Sequence, residues 1–457
     1  MHQKKILEEI LKNKISWIQN KKKYIPIKNI IPYIKKTKYD FYNALKSNSS
    51  VFILECKKYS PSKGLICKNY NLKSFAQVYK NYSSVISVLT DEKYFQGNFN
   101  DIRIIRNMVP QPILCKDFIL DPYQIYFARY HSADAILLIL SILNDKEYIR
   151  LSKIAHQLNM GILTEINNEN ELKRAIYLKA KIIGINNRNL SDFSIDLNKT
   201  YNLAKLNYIP KEIILISESG IDNNFTIRQL SKFVNGFLIG SAITSKKNIL
   251  YAVKNLIFGI NKICGLKTIK DAKITNDSGS IFGGLIFINS SIRNINIKIA
   301  KNIVFNVKKL LYIGIFYNST IEEIIQISKI LSLYAVQLHG EENQNFINIL
   351  RNKLSNKIKI WKVIKIHDHI PYYKYNNVDL YVFDNYLPGK GIKFNWNLLK
   401  GKNNQNILLA GGLNKNNLRE AIKLKCYGLD FNSGVEKIPG IKDHFKIKNI
   451  FKNLRDY

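Results

Sequence analysis

Sixteen short apolar runs punctuate this chain, and they fall into two sets of eight. The first set reads VFILECKK (51–58), VISVLT (85–90), PILCKDF (112–118), DAILLIL (134–140), MGILTEI (160–166), KIIGINNR (181–188), IILISESG (213–220) and GFLIGSA (236–242). The second reads NKICGLK (261–267), IFGGLIFI (281–288), LLYIGIF (310–316), YAVQLHG (334–340), IKIWKVIKI (358–366), LYVFDN (380–385), NILLAGGL (406–413) and YGLDFNSG (427–434). Amphipathic stretches such as NENELKRAIYLKA (168–180) lie between them. Strands that alternate with helices predict βα units and a parallel sheet. Eight in succession predict a closed (β/α)8 TIM barrel, so the fold expected is α/β, with two consecutive barrels. A length of 457 residues suits two domains of roughly 200–250 residues each. KKNILYAVKNLIFG (246–259) reads as the last helix of the first unit. The turn near Gly259 then divides the chain into 1–256, preceded by a basic helical extension, and 257–457.

The formal charge of +36 raises nucleic acid as a partner. The lysines are instead scattered among isoleucine, asparagine and tyrosine, without an Arg-rich tail or a helix-turn-helix pattern, so they read as solvated faces. Five widely spaced cysteines without a C-x-x-C pair exclude a zinc site and a disulfide framework, and point to a reducing compartment. The N-terminus MHQKKILEEILKNKI lacks the apolar core of a signal peptide. No run approaches the ~20 apolar residues of a membrane span. The expectation is a cytoplasmic protein that binds neither nucleic acid nor membrane.

Active sites of such barrels lie at the C-terminal ends of the strands. In the first half those ends carry Glu55 and Lys57, Lys116, Glu165, Asn186 and Arg188, then Glu218 and Ser219. A strand-end ion pair alone would explain Glu55 and Lys57. Three carboxylates and several cations at one mouth suit acid–base chemistry on an anionic ligand, since buried charges are costly unless paired. The last two strands of each half also match. Gly220 precedes Ser241 by 21 positions, and Gly412 precedes Ser433 by 21. Loops after the seventh and eighth strands commonly bind phosphate, where glycine lets backbone N–H groups approach the anion. Gly220, Gly240 and Ser241 are expected to form one phosphate site, and Gly411, Gly412, Asn432 and Ser433 a second.

ILECKKYSPSKG, CKDF, TEI, GINNR, SESGI and FLIGSA together resemble the indole-3-glycerol-phosphate synthase family. KICGLKTIKDA, GGLIF, VQLHGEE, FDN, LLAGGL and GLDFNSGVE resemble the phosphoribosylanthranilate isomerase family. The resemblance spans essentially the whole chain, and its order is similar to that of the bifunctional enzymes of tryptophan biosynthesis. It implies phosphorylated anthranilate derivatives as substrates, no metal or organic cofactor, and a monomer. It implies that Lys116 is the synthase general acid, Glu165 its partner in proton transfer, and Glu55 an aid to loss of the hydroxyl. Lys57 would complement substrate charge, with Asn186 and Glu218 completing the catalytic set and Ser60, Arg188 and Ser219 positioning the substrate. In the second half Cys264 resembles the general base, Asp384 the general acid, and Arg293 the clamp for the anthranilate carboxylate. Base catalysis there needs the site to lower the thiol from ~8.5 and to raise the acid.

Three segments depart from the family pattern. Tyr59 replaces a small residue before Ser-Pro-Ser, Ile292 stands where the isomerase pattern has proline, and LPGKGIKFNW (387–396) replaces a glycine-serine-glycine loop followed by an aspartate. An active synthase fused to a decayed, structural isomerase barrel is the competing reading. The retained Cys264 and Asp384 speak against it.

Overall fold

The structure, a computed structural model, describes residues 4–189, 192–387 and 390–457. Pro388 and Gly389 of the altered 387–396 segment lie outside the described residues. Contacts divide the chain into two compact units, Met1–Leu256 with Tyr457, and Ile257–Asp456.

In the first unit eight parallel strands close into a barrel. They are β1 (Val51–Cys56), β2 (Val85–Leu89), β3 (Ile113–Lys116), β4 (Ala135–Ile139), β5 (Gly161–Ile166), β6 (Ile182–Asn186), β7 (Ile214–Glu218) and β8 (Gly236–Ile239), with β1 pairing both β8 and β2. Val and Ile favour the pleated surface, and burial on both faces explains why the runs are almost wholly apolar. Successive side chains alternate across each strand. Val51 and Ile53 therefore pack in the barrel core with Leu114, Leu137, Leu163, Ile216 and Leu238. The same alternation carries Glu55, Lys116, Glu165, Asn186 and Glu218 to the mouth.

The extension before β1 is part of this barrel. Helix α1 (Lys4–Tyr24) buries Ile10, Lys14 and Ile18, which recur every fourth residue and so share one face. Ile10 joins the core, and Trp17 stacks on Phe99 at 5.5 Å. Lys14 sits on this apolar stripe because Asp91 and Asp117 each meet its ammonium at 2.7 Å. Thr90 donates to the other oxygen of Asp117 at 2.6 Å. Phe41 and Leu45 also enter the core, and Phe41 rests against Gly161 at the start of β5.

The second unit repeats the plan with β9 (Ile260–Ile263), β10 (Phe282–Ile286), β11 (Leu311–Phe316), β12 (Ala335–Leu338), β13 (Lys359–Ile366), β14 (Leu380–Asn385), β15 (Ile407–Leu409) and β16 (Gly428–Phe431). All eight are parallel, and β9 closes the barrel against β16. Its interior differs from that of the first barrel. Lys262 and Asp430 face each other in register across β9 and β16, fully inside the sheet. No described helix is long and apolar enough to cross a membrane.

Candidate active sites

In the first barrel the strand-end residues named from sequence meet at one mouth, around two adjoining cavities of about 100 and 480 Å³. Glu55, Lys57, Lys116, Arg188, Ser219 and Ser241 line both. The smaller is walled by Leu89, Phe95, Phe118, Leu137 and Ile139, with Leu7 and Ile10 of α1. The larger carries Gly220, Gly240, Lys63 and Lys246. One side of the mouth is therefore apolar and ring-sized, and the other is cationic and rich in backbone N–H groups.

Lys116 stands between two carboxylates, 3.7 Å from Glu165 and 3.8 Å from Glu218. Both separations exceed a hydrogen bond, so neither carboxylate ties the ammonium down. Burial pulls the Lys116 pKa down, but Glu165, Glu218 and Glu55 outweigh it and hold the ammonium above its ordinary value. Burial pushes Glu218 up to about 8, with Glu165 and Glu55 adding to the shift against Lys116. Neither Glu218 oxygen has a hydrogen-bond partner among the described residues. Glu55 behaves oppositely: burial would raise it, but Lys57 at 2.5 Å and the more distant Lys116 and Arg188 hold it below the usual carboxylate range. Asn186 donates to Glu165 at 2.9 Å and fixes that carboxylate. Gly184 is required nearby, because a side chain there would collide with Glu218.

Ser60 begins a short hairpin, Tyr59–Ser60 against Gly64–Leu65, and lines the smaller cavity. Ser219 and Gly220 both have positive φ, 64° and 78°. In the second barrel Gly411 and Gly412 repeat the pair at 81° and 67°. Positive-φ residues at the same point of both barrels let the loop backbone approach a bound anion closely. Sequence reasoning missed Lys63, Lys246 and the Lys14–Asp91–Asp117 cluster. It also passed over Asn187, which bonds the Glu218 and Ser219 carbonyls at 3.0 and 3.1 Å and shapes the loop after β7.

The second barrel opens on a cavity of about 450 Å³ that brings together Cys264, Arg293, Asp384, Gly411, Gly412 and Ser433. Burial pushes Asp384 up to about 7; Asp430 adds to this, while the Asn385 N–H and Lys262 oppose it. That is the direction an acid requires. Cys264 runs against expectation. Burial raises its thiol and Asp430 assists, so Lys262 and Lys442 limit the rise without reversing it. A site that lowers the thiol, as read from sequence, is therefore corrected.

The Nε and Nη2 edge of Arg293 is held by Glu436 at 2.9 and 2.8 Å, and Lys442 meets the same carboxylate at 2.9 Å. A ligand carboxylate is left the Nη1 side of the guanidinium. Glu436 lies in the GVE stretch, and its role had no signal in spacing. Asn432 accepts from Lys442 at 2.8 Å, which fixes the loop after β16.

Two closed (β/α)8 barrels with acid–base groups at each mouth define a tandem barrel enzyme. The profile of indole-3-glycerol phosphate synthase matches residues 7–256, and that of N-(5'-phosphoribosyl)anthranilate isomerase matches residues 261–453. The chain belongs to the family of bifunctional proteins that join these two enzymes for tryptophan biosynthesis. It is 55% identical over 452 residues to the tryptophan biosynthesis protein TrpCF of Buchnera aphidicola subsp. Schizaphis graminum, covering 99% of both chains. It is 47% identical over 453 residues to TrpCF of Salmonella typhi, again covering 99% of both. Among solved structures, phosphoribosyl anthranilate isomerase from Thermus thermophilus overlaps 43% of this chain and 98% of its own, at 26% identity and a TM-score of 0.39.

Proposed function

We propose that the second barrel acts first, opening the ribose of N-(5-phosphoribosyl)anthranilate in an Amadori rearrangement. Asp384 protonates the ring oxygen as its bond to C1′ breaks, the Cys264 thiolate removes the C2′ proton, and the resulting enol becomes the C2′ ketone as C1′ takes up a proton. Arg293 holds the anthranilate carboxylate on its Nη1 side, and Gly411, Gly412, Asn432 and Ser433 hold the phosphate. The observation that carries this reading is one cavity shared by a thiol, an acid with a pKa of about 7, and a pair of positive-φ glycines.

The first barrel then closes the ring to indole-3-glycerol phosphate with loss of carbon dioxide and water. The apolar cavity takes the anthranilate ring, and Gly220, Gly240 and Ser241 take the phosphate, with Lys63 and Lys246 adding charge. Lys116 protonates the reacting carbonyl oxygen as the ring carbon attacks. Glu165, oriented by Asn186, passes protons during loss of water, and Glu55 assists the departing hydroxyl. Lys57 complements the substrate charge, Ser60, Arg188 and Ser219 position the substrate, and Glu218, 3.8 Å from Lys116, completes the catalytic set. The reading includes action as a monomer in the cytoplasm, supported by complete residue sets within each barrel and by five free cysteines. An assay of the purified chain with phosphoribosylanthranilate, following the rearranged intermediate and the indole product separately, tests it. Failure to form either would overturn the corresponding assignment.

A further inference from the structure

In the isomerase barrel, Lys262 is wholly buried on β9, two residues before Cys264 and on the same side of the strand. Its ammonium has three protons. One goes to Asp430 at 2.6 Å and one to Gln337, across the barrel on β12, at 2.8 Å. The charge of the ammonium also favours the Cys264 thiolate. Asp430 accepts from Lys262 through Oδ2, while its buried Oδ1 has no hydrogen-bond partner among the described residues. Asp430 lines the cavity that contains Asp384 and acts on it more strongly than Lys262 does. On Cys264 the order is reversed, with Lys262 ahead of Asp430.

We propose that the Lys262–Asp430 pair is a polarising device for the isomerase, its cation turned to Cys264 and its anion to Asp384, which favours the thiolate and the protonated acid together. This rests on the assignment of those two residues as base and acid. Burial raises both groups and a gap remains between them, so above about pH 7 the one proton they share sits on sulfur and not on the carboxyl. The ion pair narrows that gap from both ends. Each pH unit by which it narrows raises the reactive population about tenfold. Other charges face the same groups: Lys442 and Arg293, both bound to Glu436, lie on the Cys264 side. His339 and Lys390 line the cavity with Asp384, and His339 is held neutral by burial and by Lys262, Lys365 and Lys362. None of these bonds both Lys262 and Asp430. Lys262 and Asp430 are therefore positioning residues, acting through Cys264 and Asp384.

The test uses the full chain and two readouts, the pH profile of isomerase kcat/KM and the pH dependence of Cys264 alkylation by iodoacetamide, followed on the Cys264 peptide by mass spectrometry. The main variant is K262Q/D430N, which removes both charges and leaves none unpaired. The proposal expects the two limbs of its profile to move apart by about one unit, with a peak roughly tenfold lower and the alkylation midpoint shifted upward. K262R keeps the cation and should retain the wild-type midpoint. Loss of activity with both limbs and the midpoint unmoved would overturn the proposal and reduce the pair to scaffolding. A double variant that cannot fold while K262R shifts the midpoint as far as a neutral residue would overturn it too. Wild-type rates in Cys264→Ser would instead sink the base assignment, a result the alkylation readout keeps separate.

Discussion

Gly240 and Asn432, at equivalent points of the two barrels, hold nearly the same backbone conformation: φ −122°, ψ −83° and φ −134°, ψ −88°. A serine follows each and opens a short helical turn, and a pair of positive-φ residues lies on the neighbouring strand end. The shared feature is therefore local geometry as well as spacing. Inorganic phosphate should bind the chain at two independent places. Gly220→Val should abolish one, because its side chain would meet Ile195 and Leu197, and Gly412→Val the other, because it would meet the Lys393 and Gly391 backbone. Isothermal titration should fall from two sites to one in each variant; two sites surviving in either would refute the assignment.

Lys116→Ala and Glu165→Gln should each lower indole-3-glycerol phosphate formation by at least ~100-fold while the isomerase step proceeds normally. Both side chains belong to the first barrel, where Asn186 orients Glu165. Separate assays of the two steps check this. Loss of the isomerase with a normal synthase would reverse the assignment of the barrels.

The pKa of Glu218 is about 8 in the folded chain and about 4.3 when unfolded. The native state binds this proton more tightly, so its stabilising contribution is full below about 4.3 and is lost as pH rises through about 8. Glu218→Gln cannot lose that contribution. The melting temperature of the variant should therefore gain on wild type between pH 5 and pH 9, while synthase activity falls. Calorimetry across that range would show parallel curves if Glu218 titrated normally.

The isomerase should show a plateau in pH, set by a reactive form that needs thiolate and protonated acid together. Below about 7 Asp384 keeps its proton, and each added pH unit brings about tenfold more thiolate, so kcat/KM rises. Above about 7 the gain in thiolate is cancelled by loss of the acid, until Cys264 itself titrates. Cys264→Ser should remove nearly all activity, because a serine hydroxyl is far too weak an acid to supply the anion. Single-turnover conversion of phosphoribosylanthranilate at a series of pH values measures both effects. A rate falling through pH 7 would contradict the assignment.

Lys14→Met should destabilise the first barrel by about 3–5 kcal/mol, since it leaves Asp91 and Asp117 buried around a lost cation. Denaturant titration measures the change. A loss under about 1 kcal/mol would mean the cluster contributes no more than a surface ion pair.

Much of this architecture could be read from the chain because parallel barrel strands are buried on both faces and leave apolar runs that need no partner to be recognised. Glu55, Lys116, Glu165 and Glu218 were visible because charge at the end of such a run has only the mouth to face. Lys14 was hidden for the opposite reason. It occupies a helix stripe where lysine ordinarily marks solvent, and its partners lie on strands far away in sequence. Lys262 and Asp430 were hidden inside runs read as strands, since only register shows that they face each other. Whether Cys264 sits above or below its ordinary pKa depends on a balance of burial against several charges, and spacing carries no information about that balance.

The Lys14 cluster also bears on the order in which the chain is made. A ribosome delivers Lys14 long before Asp91, and Asp91 before Asp117, so the ammonium at the centre of the cluster has no counter-charge when it emerges. It must stay in water until the third strand arrives, because burial without partners would be prohibitive. Helix α1 can therefore exist early as a solvated helix, but it docks only after the strands carrying both aspartates are in place. The first segment synthesised therefore docks after strands made later than itself, and a nascent chain arrested before Asp117 should leave α1 open to protease.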